Sequence, residues 1–378
     1  LRATKQAECV CSFSTKRAWV FAAIALMMSM SAHAQKFEPV IDSLMARYAV
    51  PNGPGASLLV VRDGRVLFAK GYGLADVESN TPVTAESNFR LASLTKQFTA
   101  TSIMLLAAKK KLRYDDPIGP LVPGLPAYAR NVTIRQLLNH TGGLPAYENF
   151  VPDTQTVQVH DSEIPSLIAH SDTAKFAAGT RYDYSNTGYV LLALAVERVS
   201  GQRFADFLHD HIFVPLKMTA TVALEEGRSV VPHRAYGYRV NATGVRRTDQ
   251  SNTSATLGDG GIYSSAIDLA QWDRALEKHT LVSAKEQQLA WTPGTLASGQ
   301  KTEYGFGWFV DRDHGTLRVR HHGESRGFTN GIIRYPERRL TVVILSNRSG
   351  GAPWDTAQRI AELYLGSSSA GPAPAWRP

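Results

Sequence analysis

Apolar and polar positions divide the chain into strand-like ends and a helix-rich middle. Phe37, Val40, Ile41, Leu44, Met45 and Tyr48 lie on one helical stripe, which predicts a helix over residues 37–48. Pro51-Asn52-Gly53-Pro54-Gly55 ends it. Residues 56–61 and 66–72 are β-rich runs joined through Asp63-Gly64, a hairpin signature. Residues 94–106 are an apolar run that reads as a buried helix.

From about residue 112 to 256 the pattern changes to short helical stretches broken by Pro and Gly. These cover residues 133–139, 161–170, 188–199 and 203–213, and residues 220–256 are polar and poorly patterned. Strand character returns at residues 304–310, 316–321, 331–335 and 340–345. The last two are linked by the turn Pro336-Glu337-Arg338-Arg339. Residues 357–365 suggest a closing helix, and 367–378, rich in Ser, Pro and Gly, a loose tail.

Strands near both ends with helices between predict an α+β (mixed α/β) fold. One antiparallel sheet, built from N- and C-terminal segments and flanked by helices, would carry an inserted, mostly helical subdomain at about 112–256. Residues 35–366 form a single domain on this reading, with a cleft between sheet and insertion as the natural site.

The first 34 residues stand apart. Lys16-Arg17, an apolar run over residues 18–28 and Ala32-His33-Ala34 have the layout of a secretory signal, so an exported protein, periplasmic or secreted, is expected. The apolar run is short for a membrane span, which leaves an uncleaved anchor as the alternative. Both cysteines, Cys9 and Cys11, precede the expected cleavage, so no disulfide or cysteine-type metal site is expected beyond it. The formal charge is +8; without residues 1–34 it falls to about +5. The basic residues are scattered. Their densest run, Lys109-Lys110-Lys111, falls where cations suit a helix C-terminus, which argues against nucleic-acid binding. His209 and His211 are two apart and share no helix face, so no metal pair is expected, and no cofactor.

Candidate chemistry begins at Ser93-Leu94-Thr95-Lys96. On a helix, residues three apart share a face, and a serine at a helix start meets free N–H groups and the positive dipole end. A lysine beside it serves as base only if burial or nearby positive charge lowers its pKa. Ser298-Gly299-Gln300-Lys301 has the same spacing but lies in a polar loop, so context selects Ser93. Tyr184-Ser185-Asn186 precedes the apolar stretch from residue 188: the tyrosine could relay a proton, and the asparagine could orient the substrate and Lys96. Tyr147-Glu148-Asn149 is a rival of the same form in a Pro-flanked loop. His321-His322-Gly323 ends an alternating run, Leu317, Val319, His321, and its glycine permits close backbone approach. His322 is the rival of His321. His140-Thr141-Gly142 enters a tight turn, where its histidine is expected to cap or pack.

The ordered motifs S-x-x-K, Y-x-N and H-x-G resemble the serine β-lactamase and penicillin-binding-protein superfamily. They are most similar to the branch holding class C β-lactamases, D-alanyl-D-alanine carboxypeptidases, D-aminopeptidases and family VIII esterases. Supporting stretches are Leu137–Pro145, Gly260-Gly261-Ile262-Tyr263-Ser264 and Tyr304-Gly305-Phe306-Gly307-Trp308, and the resemblance spans roughly 37–366. It implies that Ser93 is acylated, that Lys96 and Tyr184 share acid–base work, and that Asn186 contacts the substrate and holds Lys96. It places His321 where many relatives carry a strand lysine, with Gly323 as that motif's glycine. It implies an oxyanion hole made by the backbone N–H groups of Ser93 and Glu324.

Two departures bear on substrate. His321 replaces a permanent cation with a group mostly neutral at pH 7, which weakens the case for efficient penicillin hydrolysis. Glu324 puts a carboxylate next to the motif glycine, where it must face solvent or pair with Arg320 or Arg326. The expected substrate is a peptide or amide ending in a D-amino acid, or an ester of similar size. A β-lactam is the alternative within enzymes, and non-hydrolytic binding of penicillin or cell-wall fragments the alternative outside them.

Overall fold

A computed structural model describes residues 32–366. The tail and all but the last residues of the expected signal segment lie outside them.

Six strands form the central sheet: β1 (Ala56–Arg62), β2 (Arg65–Tyr72), β3 (Phe309–Asp313), β4 (Thr316–Ser325), β5 (Phe328–Tyr335) and β6 (Leu340–Ser346). Their order is β3-β4-β5-β6-β1-β2, every pair antiparallel, so N- and C-terminal segments meet at β1–β6. The β1–β2 turn is the expected one. Arg62 pairs with Arg65, and Asp63 and Gly64 both take positive φ, 54° and 69°, as a tight hairpin twisted with its strands requires.

Strands β1 and β6 are apolar on both faces because both faces are covered. Leu58, Val60, Val342 and Ile344 point to one core, against helices α1 (Ala32–Met45) and α5 (Pro353–Leu365). Leu59, Val61, Val343 and Leu345 alternate to the other core, beneath α4 (Ala266–Lys278) and the helical region. In that region α2 (Lys96–Ala108) packs on α3 (Asn186–Ser200). Ser185 caps α3 through a hydrogen bond from Gly188 N–H, and Gly201 closes it at φ 74°.

Three local expectations change. Residues 304–308 are not strand: β3 begins at Phe309, because Gly307 takes φ 78° and breaks the extended run. Within 220–256 lies a hairpin, Tyr238–Asn241 with Gly244–Arg247, whose outer strand is wholly exposed and so carries no apolar alternation. Helices also continue past residue 256, in α4 and Ala284–Ala290. Among the described residues no helix is long and apolar enough to cross a membrane.

Candidate active site

Ser93 does not open the long helix. It lies in a 3₁₀ turn, Ala92–Thr95, which feeds into α2 at Lys96. A 3₁₀ turn has three residues per turn, so positions i and i+3 are stacked. Lys96 therefore stands under Ser93, with Nζ 3.0 Å from Oγ. The turn begins under strain: Ala92 has φ 50°, costly for a residue with a Cβ and common where a side chain must be presented to a site.

Lys96 is fully buried. Its Nζ also donates to Asn186 Oδ1 at 2.8 Å and to the Asp259 carbonyl at 2.9 Å. Burial pulls its pKa down to about 8, against the opposing pull of the Asp259 and Glu148 carboxylates. Two of its three polar neighbours can only accept. A neutral amine there spends its two N–H bonds on Asn186 and Asp259 and turns its lone pair to the Ser93 hydroxyl. The rings of Tyr184 and Tyr189 lie 5.0 and 5.6 Å from Nζ and complete its enclosure.

Asn186, in the first turn of α3, has its amide orientation fixed from both ends. Its Oδ1 accepts from Lys96, and its Nδ2 donates to Glu148 Oε1 at 2.6 Å. Burial raises the pKa of Glu148. The Tyr184 hydroxyl is buried without a hydrogen-bond partner among the described residues. Burial raises its pKa well above 10, and the nearby Ser93 hydroxyl opposes that rise. It is thus a protonated phenol beside the Ser93 hydroxyl.

The opposite wall is β4. Pairing with β3 stops at Phe309–Arg320, so from His321 onward one edge of β4 faces the Ser93 turn instead of a strand. Gly323 makes this approach possible: a Cβ there would lie 2.2 Å from the Leu91 carbonyl oxygen. His321 shares its face and is buried. Its Nδ1 lies 2.6 Å from the His322 carbonyl, which can only accept, so Nδ1 carries the proton and Nε2 accepts from Tyr304 Oη at 2.9 Å. Burial, with His322 and Lys96 nearby, holds its pKa well below 6.5. Both nitrogens are therefore engaged inside the protein, and the ring is neutral. His322 points the other way, against Phe309 and Trp354. Glu324 is exposed at the rim, and no ion pair joins it to Arg320, which is held by Asp311, or to Arg326.

Ser93, Asn186 and Glu324 line one cavity of about 550 Å³, with Arg90, Tyr147, Glu148, Asp259 and Ser325 also on its wall. The rivals fall into place. Ser298 and Lys301 are exposed elsewhere. His140 packs, its ring 4.2 Å from that of Tyr184, and its Nδ1 accepts from Ser185 N–H at 3.1 Å. The Tyr147-Glu148-Asn149 stretch is at the site, but in support: Tyr147 Oη donates to Asp259 Oδ2 at 3.1 Å, and Glu148 holds Asn186. Asp259 and Arg90 lie in no sequence motif, Glu148 stands in the rival stretch and Tyr304 in a supporting one. Asp259 stands directly before the Gly260-Gly261 stretch and Tyr304 opens the 304–308 stretch, so adjacency was the available signal.

The model of the Beta-lactamase family matches residues 37–365. The chain is 34% identical to penicillin-binding protein 4* of Bacillus subtilis, over 80% of this chain and 70% of that protein. It is 28% identical to a D-aminopeptidase of Gluconobacter oxydans, over 86% of this chain and 61% of that protein. Among solved structures, D-amino acid amidase from Ochrobactrum anthropi superposes with a TM-score of 0.74 at 25% identity, covering 88% of this chain and all of the amidase.

Proposed function

The chain belongs to the beta-lactamase family, and on that footing we propose that it is a serine hydrolase working through an acyl-enzyme on Ser93. Its substrate would be an amide or peptide of a D-amino acid, or an ester of similar size. The observation that carries this reading is Lys96: buried, its pKa brought to about 8, and hydrogen-bonded to Ser93 Oγ at 3.0 Å. A neutral Lys96 takes the Ser93 proton as Oγ attacks the carbonyl carbon. The backbone N–H groups of Ser93 and Glu324 receive the developing oxyanion. Tyr184, a neutral phenol at the same serine, passes a proton to the leaving amine or alkoxide and takes the Ser93 proton back from Lys96, so that both are neutral again before water enters. Water then attacks the ester by the reverse path, releasing acid and restoring Ser93. Among relatives, the D-aminopeptidase and the D-amino acid amidase carry hydrolase names, which supports an amide substrate. Export belongs to the same reading and is supported by the arrangement of residues 16–34.

The test is labelling of purified protein with a fluorescent phosphonate and a fluorescent penicillin, wild type beside Ser93→Ala. Turnover of a D-alanyl peptide panel, p-nitrophenyl esters and a chromogenic cephalosporin is measured alongside. Serine-dependent phosphonate label with peptide or ester turnover is expected. Stable penicillin label with no turnover of any substrate would establish the binding role instead.

A further inference from the structure

We propose that Asp161 is a positioning residue for the reaction: it holds the 257–259 segment, and through it the carbonyl that fixes Lys96. This rests on the hydrolase reading above. Lys96 Nζ donates to the Asp259 carbonyl at 2.9 Å and to Asn186, which leaves its third position to Ser93. The direction of that carbonyl depends on the residues just before it. Leu257 N–H donates to the Asp161 carboxylate, 3.0 Å from Oδ2 and 3.2 Å from Oδ1, and Gly258 N–H points to Oδ1 at a longer 3.5 Å. Successive backbone N–H groups turned to one side make a concavity that takes an anion. Here the anion is a side chain from 96 positions away.

The segment is clamped from its other sides as well. Thr99, buried one turn along α2 from Lys96, donates through Oγ1 to the Gly258 carbonyl at 2.6 Å. Gly258 lies against α3, where a Cβ would stand 2.5 Å from the Tyr189 carbonyl oxygen, so the backbone approaches as only glycine permits. Tyr147 Oη donates to Asp259 Oδ2 at 3.1 Å. Asp161 itself lines a different cavity, of about 360 Å³, and not the wall of the Ser93 cleft. Its effect on the reaction therefore passes through the segment it holds. Burial, with the Asp259 and Glu197 carboxylates nearby, raises the pKa of Asp161 well above 3.8, and the two N–H groups oppose the rise. His160, Glu225, Glu226 and Arg228 share its cavity. Charged or neutral, the carboxyl keeps an oxygen that accepts, whereas alanine keeps none.

Asp161→Ala takes the acceptor from both N–H groups and frees the segment to shift. Lys96 then loses the Asp259 carbonyl and the pull of the Asp259 carboxylate, both of which favour its charged form. The pKa of Lys96 should fall by about one unit. The acylation limb should move to lower pH with it, and the plateau should drop about 10-fold, because the amine is no longer aimed at Ser93. Carbon NMR titration of protein isotopically labelled at lysine Cε reads the first, with the Lys96 signal assigned by its absence from Lys96→Met. Stopped-flow acylation by a p-nitrophenyl ester reads the second. Asp161→Asn, which keeps an acceptor oxygen, should lie between wild type and Asp161→Ala. Thr99→Val, which removes the hold on Gly258 from α2, should move both readings in the same direction. An unchanged or raised Lys96 pKa in folded Asp161→Ala, or a loss of rate that only follows the folded fraction, would overturn the inference. Should Asp161→Ala not fold, Asp161→Asn decides by whether the Lys96 pKa falls. The NMR titration needs no turnover, so a wild type that no ester acylates would count against the hydrolase reading alone.

Discussion

The Tyr304 O–H donates a hydrogen bond to Nε2 of His321 across 2.9 Å, and this bond decides the character of the strand opposite Ser93. The imidazole has no nitrogen left for a substrate and no room for a charge. Unfolded, His321 takes up a proton near pH 6.5; folded, it does not, because burial holds its pKa well below that value. Stability tied to this residue is therefore present above pH 6.5 and declines as pH falls below it. Glu148 and Asp161, whose pKa values burial raises, work in the opposite sense, so the comparison must be between variants. His321→Gln should reduce the pH slope of unfolding free energy between pH 6 and 5 by up to one proton, about 1.4 kcal/mol per pH unit. Urea unfolding of both proteins across that range measures it.

On the proposed mechanism, Lys96 sets the pH dependence of acylation. Only the neutral amine can accept the Ser93 proton, and with a pKa of about 8 roughly a tenth of it is neutral at pH 7. The acylation rate should rise about tenfold per pH unit below pH 7 and level off above pH 8.5. Lys96→Met should lower kcat/KM by about 100-fold or more and abolish that rise. Stopped-flow acylation with a p-nitrophenyl ester checks both.

Gly323 holds the two walls together. An alanine Cβ would stand 2.2 Å from the Leu91 carbonyl oxygen, and this is backbone that cannot swing aside. Gly323→Ala should cost about 1–3 kcal/mol, as overpacking does. It should also lower kcat more than a surface glycine change such as Gly299→Ala, because β4 is pushed off the Ser93 turn. Chemical denaturation and ester turnover on the two variants separate these effects.

Asn186 is expected to act through orientation. Asn186→Asp keeps the shape but puts a carboxylate within reach of Lys96 and Glu148, in place of the amide that bonds both. The added negative charge raises the pKa of Lys96, so the rise in acylation should move to higher pH, by about one unit or more. The pH profile of this variant reads it directly.

The parts of this site legible in the sequence are those written locally. Ser93 and Lys96 sit within one turn, and Asn186 opens a helix whose apolar pattern is plain. Gly323 follows an alternating strand. Even so, sequence does not distinguish the 3₁₀ turn at Ser93 from a helix start, because a three-residue spacing suits both. Glu148, Asp259, Tyr304 and Arg90 reach the site through packing between segments distant in sequence, as when Asp259 comes to Lys96 from 163 positions away. No periodicity marks such residues. Helix α4 carries a local signal, since Ser265 caps it through Asp268 N–H.

The proposed reaction turns on an acyl bond to Ser93 Oγ. Intact-protein mass spectrometry after rapid acid quench of a p-nitrophenyl ester reaction, followed by peptide mapping, addresses it most directly. One acyl adduct is expected, on the peptide containing Ser93, absent in Ser93→Ala and accumulating more slowly in Lys96→Met. Turnover by wild type with the adduct on another residue, or undiminished turnover by Ser93→Ala, would contradict it.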